Sequence, residues 1–182
     1  MKRLTIHIRY FALAFLLLTE IACSKKNSDY VAPISTNSSS VSLINNVWKL
    51  SQYIIITDKQ GYTFTGNDIA DHALNRLEFS YPASYAASNA SWSGVYTFYN
   101  DSTGIYLKPG NPSLVQLILS IDHLSQQVMV LSSAVVNCNQ QIPESSNFEK
   151  FVVTHSKMWL YTRGIDVSEI KSIKIKFVYS SR

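Results

Sequence analysis

The residues of this chain that could carry acid–base, nucleophilic or metal chemistry are few and scattered. Beyond the first thirty positions the histidines are His72, His123 and His155. Two of them directly follow an aspartate, as Asp71-His72 and Asp122-His123. Adjacent residues of an extended chain point to opposite faces, so neither pair reads as a working dyad. No HxH, HExxH or CxxC spacing occurs, and no metal site is expected. A Gly-x-Ser-x-Gly elbow and a glycine-rich phosphate loop are also missing. Glycoside hydrolysis needs two converging carboxyl groups. The acids here fall mostly in turn-forming segments, and Asp166 and Glu169 read as helix-start or solvent charges. The expectation is a non-catalytic protein without a cofactor. Cys138 follows the apolar Val135-Val136 and has no basic neighbour to lower its pKa, so it reads as a small buried hydrophobe.

The residue with a chemical fate legible from its surroundings is Cys23. Lys2, Arg3 and Arg9 precede the unbroken apolar run Phe11–Leu18, and the small Ala22 stands directly before the cysteine. Basic flank, apolar run and small residue in this order are the parts of a secretory leader. The run is far shorter than the ~20 residues a spanning helix needs. Ile21-Ala22-Cys23 resembles a lipobox, with Glu20 where such boxes usually carry Leu. The resemblance implies cleavage between Ala22 and Cys23 and a thioether-linked diacylglycerol on Cys23. Two or more acyl chains, at about 0.8 kcal/mol per buried CH₂, anchor a protein stably to a bilayer. Ser24 after the cysteine resembles an outer-membrane sorting signal. The expected location is the periplasmic face of the outer membrane, with surface exposure the alternative.

The chain carries 16 basic and 12 acidic residues. Removing Lys2, Arg3, Arg9 and Glu20 with the leader leaves 13 against 11. That balance is too even to point to nucleic acid as a partner. Residues 23–42 are rich in Ser and Asn, carry Pro33 and hold few apolar side chains, so they read as a flexible tether. From Leu43 the composition turns to alternating apolar and aromatic residues, and 43–182 read as one domain large enough for a real core.

The elements of that domain follow a period of two. Trp48–Thr57 would place Trp48, Leu50, Ile54 and Ile56 on one face. Arg76–Ser80, Ser91–Tyr99, Ile105–Leu107, Leu114–Ile121, Val128–Leu131 and Ser172–Tyr179 read as further strands, and Phe148–Thr154 with Met158–Thr162 as a hairpin. Short helices are expected over Asn67–Asn75, with a good N-cap, and over Asp166–Lys171. Eight or nine short strands joined mostly by tight turns favour an all-β, up-and-down antiparallel barrel, with a β-sandwich as the alternative.

Asn46-Val47-Trp48-Lys49-Leu50 resembles the first strand of lipocalin-like barrels, which opens Gly-x-Trp and often continues Lys-Leu. Leu77-Glu78-Phe79 and Gly94-Val95-Tyr96 resemble later strands of bacterial lipocalin-like lipoproteins, and Asn46 departs from the family's glycine. The resemblance implies that Trp48 closes one end of the barrel beneath a late arginine, for which Arg163 is the candidate. It also implies an apolar interior able to hold a small apolar or amphipathic ligand.

Ser91–Tyr99 carries large side chains on both faces, so Trp92, Tyr96 and Tyr99 cannot share one core, and some of them should line a ligand or partner surface. Asp101-Ser102-Thr103 lies in an expected turn and resembles a bacterial O-glycosylation acceptor at Ser102. Turn chemistry alone also accounts for these residues. Two functions remain open: a carrier whose barrel encloses a small ligand, and an interaction module whose filled barrel meets an envelope protein or glycan.

Overall fold

The computed structural model describes residues 39–181. The leader, Ala22, Cys23 and most of the expected tether lie outside them. The first described element, α1 (Ser39–Ile44), crosses the expected tether–domain boundary.

Ten strands follow: β1 (Val47–Thr57), β2 (Gly61–Thr65), β3 (Arg76–Ser80), β4 (Ser84–Ala87), β5 (Gly94–Tyr99), β6 (Gly104–Pro109), β7 (Leu117–Leu124), β8 (Val128–Ser132), β9 (Val136–Asn137) and β10 (Ser172–Ser181). Between β9 and β10 runs a second helix, α2 (Asn147–Tyr161). Every strand pairing is antiparallel, in the order β1-β3-β4-β5-β6-β7-β8-β10, and β10 returns to pair with β1 from Trp48–Ser181 to Thr57–Ile173. That return closes an up-and-down barrel and sets aside the sandwich. β2 pairs with β1 above the reach of β3, and β9 pairs with the start of β10 above β8. Closure leaves the barrel wall without an unpaired edge.

Alternation explains which residues face inward. Leu77 and Phe79, Leu117, Leu119 and Ile121, and Ile173, Ile175, Phe177 and Tyr179 are all buried. Each such side chain contributes on the order of 1.5–3 kcal/mol when removed from water. β1 departs from the expected phase. Its register with β10 shifts between Leu50 and Gln52, a β-bulge that inserts one residue. The inward set therefore changes from Trp48 and Leu50 to Tyr53, Ile55 and Thr57, and Ile56 is left 36% exposed. A single extra residue reverses every side chain beyond it.

Glycine is required at two places by close approach. A Cβ on Gly94 would strike the Lys108 carbonyl across the β5–β6 ladder, and one on Gly104 would land on the Tyr99 ring.

Strand direction sorts the connections into two ends. The turns after β3, β5 and β7 lie at the end where β1 begins, and the loops before β3, β5 and β7 lie at the other. At the first end Ile44 is fully buried, α1 reaches β7, and Trp48 Nε1 donates to the Ile44 carbonyl at 3.0 Å. That end is closed by its own residues. The other end, the mouth, is crossed by α2.

Helix α2 replaces the hairpin expected from Phe148–Thr154 and Met158–Thr162. Val152-Val153-Thr154 favours a strand locally. The apolar spacing of the whole segment is helical, because Phe148, Val152, Ser156 and Leu160, four apart, form its buried face. Gly164, at φ 74°, ends the helix, and Ile165 N–H bonds back to the Leu160 carbonyl at 3.1 Å. The helix expected over Asn67–Asn75 shrinks to one 3₁₀ turn, Gly66–Ile69, and 166–171 is not helical. β5 begins at Gly94, because Ala90–Trp92 forms a 3₁₀ turn capped by Asn89 Oδ1. Strands β2 and β4 were not expected.

Candidate functional site

The mouth gathers the aromatic and titratable residues that the strand pattern left apart. Phe151, His155 and Trp159 stand four apart on α2 and stack in series, with ring centroids 5.1 and 5.7 Å apart and planes within 30°. Behind this ladder lie Tyr53 from β1, Phe177 from β10 and His72 from the loop before β3. The Tyr53 ring is 5.2 Å from Phe177, 5.0 Å from His72 and 5.4 Å from Trp159. The His72 and His155 rings are 5.8 Å apart. No motif signals this meeting, since 83 positions of sequence separate the two histidines.

Burial sets the protonation of both. It pushes the His72 pKa down to about 3, aided by the neighbouring His155, and lowers that of His155 as well. His72 Nδ1 accepts the Leu74 N–H at 3.1 Å, which places the ring proton on Nε2. His155 Nδ1 lies 3.3 Å from the Tyr53 hydroxyl. Burial drives the Tyr53 phenol strongly upward, so it stays protonated. The cluster is therefore neutral at ordinary pH. His72 Nε2 and Trp159 Nε1 are buried without a hydrogen-bond partner. A buried polar group left unpaired costs about 1–3 kcal/mol.

In front of the ladder a groove of about 380 Å³ opens at the mouth. Trp92, from the turn before β5, and Leu114 and Val115, from the loop before β7, form one wall; Phe151, His155 and Met158 of α2 form the other. Trp92 leans on Phe151 with centroids 5.7 Å apart. Lys150 is the one charged residue of the lining and makes no ion pair among the described residues. A second hollow of about 550 Å³ shares Leu114, Val115 and Asn147 with the groove but lies against the outer face of β7. Further down the barrel the space is taken by side chains. Trp48, Tyr53, Phe177 and Tyr179 are wholly buried.

The three residues expected to share a surface are distributed. Trp92 is a wall of the groove. Tyr96 points into the barrel against Phe79 at 5.2 Å, with its hydroxyl buried and unpaired, like that of Tyr85. Tyr99 faces outward, stacks on Tyr106 at 4.4 Å and donates to the Leu119 carbonyl at 3.1 Å. Trp48 and Arg163 do not form the expected pair. Arg163 caps the opposite end, with its guanidinium 4.1 Å from the Trp159 ring centre and 5.1 Å from that of Phe64, and it donates to the Asp68 carbonyl at 3.0 Å. The late arginine follows α2, and α2 ends at the mouth. Ser102 sits at the β5–β6 turn with φ 66°, after Asn100 and Asp101 at 48° and 51°. Cys138 is a free, half-buried thiol whose pKa is raised by burial. Among the described residues no three His, Cys, Asp or Glu side chains are placed to hold a metal ion, and no helix is long and apolar enough to cross a membrane.

No protein-family model, curated protein or solved structure matches this chain.

Proposed function

We propose that this is a non-catalytic binding protein of the cell envelope, held to the outer membrane by lipid on Cys23, and that its lipocalin-like barrel takes a small apolar or amphipathic ligand at its mouth. The groove between α2 and the loop before β7 supports this reading. It is apolar on both walls, is about 380 Å³ in volume and is separated by His155 from the buried, unpaired Nε2 of His72 and Nε1 of Trp159. Small-molecule sites are of this kind, mostly apolar with a few convergent polar groups. The ligand would sit above the packed core, against α2.

Titration of the full chain with the uncharged fluorophore N-phenyl-1-naphthylamine tests the reading. Saturable enhancement that is lost in Val115→Asp is the expected outcome, while wild-type protein giving only linear, unsaturable signal removes it. The second reading is an interaction module meeting an envelope protein or glycan. It draws on Tyr161 and Val135, which are 71% and 66% exposed. It gains if the fluorophore fails to bind and Tyr161→Asp releases a crosslinked envelope partner.

A further inference from the structure

The polar atoms behind the groove say which chemistry a ligand there must present. Nδ1 of His72 is already an acceptor for the Leu74 N–H, so the free Nε2 can only donate. The indole Nε1 of Trp159 is also a donor only. Their rings lie 5.5 Å apart, and His72 is 6% exposed. His155 stands between these donors and the groove: it lines the groove, and its ring is within 6 Å of both. Neither donor lines the groove, so a ligand there reaches them only if the His155 side chain swings aside.

The same cluster buries no charged group, and the cation nearest its donors, Arg163 over the Trp159 ring, is exposed to solvent. No Lys, Arg, Asp or Glu is buried among the described residues. Arg163 lies on the solvent side of Trp159 and is committed to the Trp159 and Asp68 carbonyls. Lys150 reaches only the groove lining. An ionised carboxylate brought to two neutral N–H groups would lose its hydration without a counter-charge.

We propose, resting on the groove being a ligand site, that the polar group taken there is an uncharged hydrogen-bond acceptor, the carbonyl of an ester or ketone, received by His72 Nε2–H and Trp159 Nε1–H in preference to a carboxylate. An acceptor within reach of both would satisfy two orphan donors and leave the apolar remainder of the molecule in the groove.

The test titrates the full chain at pH 8 with a conjugated C18 polyene acid and with its methyl ester, read by polyene fluorescence. The ester should bind about tenfold more tightly than the acid, and Trp159→Phe should weaken the ester about five- to tenfold while leaving the acid unchanged, the worth of one hydrogen bond. His72→Phe should do the same, with its thermal melt showing that the barrel is intact, and His155→Ala, which removes the partition, should tighten the ester. Acid binding more tightly than ester overturns the proposal, most directly if Lys150→Met abolishes the acid's advantage. Equal binding of both probes, unchanged by Trp159→Phe, also overturns it while leaving the ligand site standing. If neither probe binds, the ligand site and the proposal fall together.

Discussion

Tyr96 carries a hydroxyl into the barrel and finds nothing to bond it to. Tyr96→Phe should therefore stabilise the protein by about 1 kcal/mol, read as a raised urea midpoint, because the phenyl ring keeps the contact with Phe79 and an unsatisfied group is removed. A lower midpoint would mean that the hydroxyl has a partner. At the β5–β6 turn, Asn100, Asp101 and Ser102 all hold left-handed backbone without a glycine. Each such residue costs about 1–2 kcal/mol that glycine would not. Ser102→Gly should raise the midpoint by about 1 kcal/mol, and a neutral or destabilising result would show that the Ser102 side chain holds the turn. The turn itself was legible, since Asn, Asp, Ser and Gly are turn formers. Its handedness was not, because no glycine marks the central positions.

Helix α2 rests on the mouth through packing and few polar ties: the 3.3 Å contact of His155 with Tyr53 and the reach of Arg163 to Asp68. Two neutral histidines meet where it is seated, His155 on the helix and His72 beneath it. Their folded pKa values are depressed by burial, while an unfolded chain titrates near 6.5. Below that value the unfolded state binds more protons, so stability falls as pH drops from about 6.5 towards 3. His72 alone should remove about 2 kcal/mol between pH 8 and pH 5. Urea midpoints at the two pH values measure this, and His72→Phe should flatten the difference; an unchanged slope in that variant would place the acid sensitivity elsewhere. Local sequence favours two strands here. The Phe-Val-Val-Thr run matches strand propensity over a short window, whereas the spacing of Phe148, Val152, Ser156 and Leu160 needs thirteen residues to declare itself. The β1 bulge was hidden for a different reason. Both Ile54 and Ile55 are good core residues, so the pattern does not say which of them turns inward.

At the scale of the whole chain, the barrel was legible because nearly every wall strand alternates and tight turns link most of them in order. The site was not, because it is made by long-range meetings: Tyr53, His72, His155 and Trp159 come from three separate stretches and share no spacing. The anchoring proposal has its own check. Cys23→Ser should move the protein from the membrane fraction to the soluble fraction, and continued sedimentation with membranes would refute lipidation. Closure has a further consequence. The seam of the barrel joins β1 to β10, with Trp48 opposite Ser181. Contacts of such sequence separation come late and slowly in folding. Until β10 has been synthesised, β1 lacks its longest partner, and Tyr179 cannot donate to the Leu74 carbonyl. A growing chain of this topology stays open, and so remains threadable through a narrow pore, until its final strand is delivered.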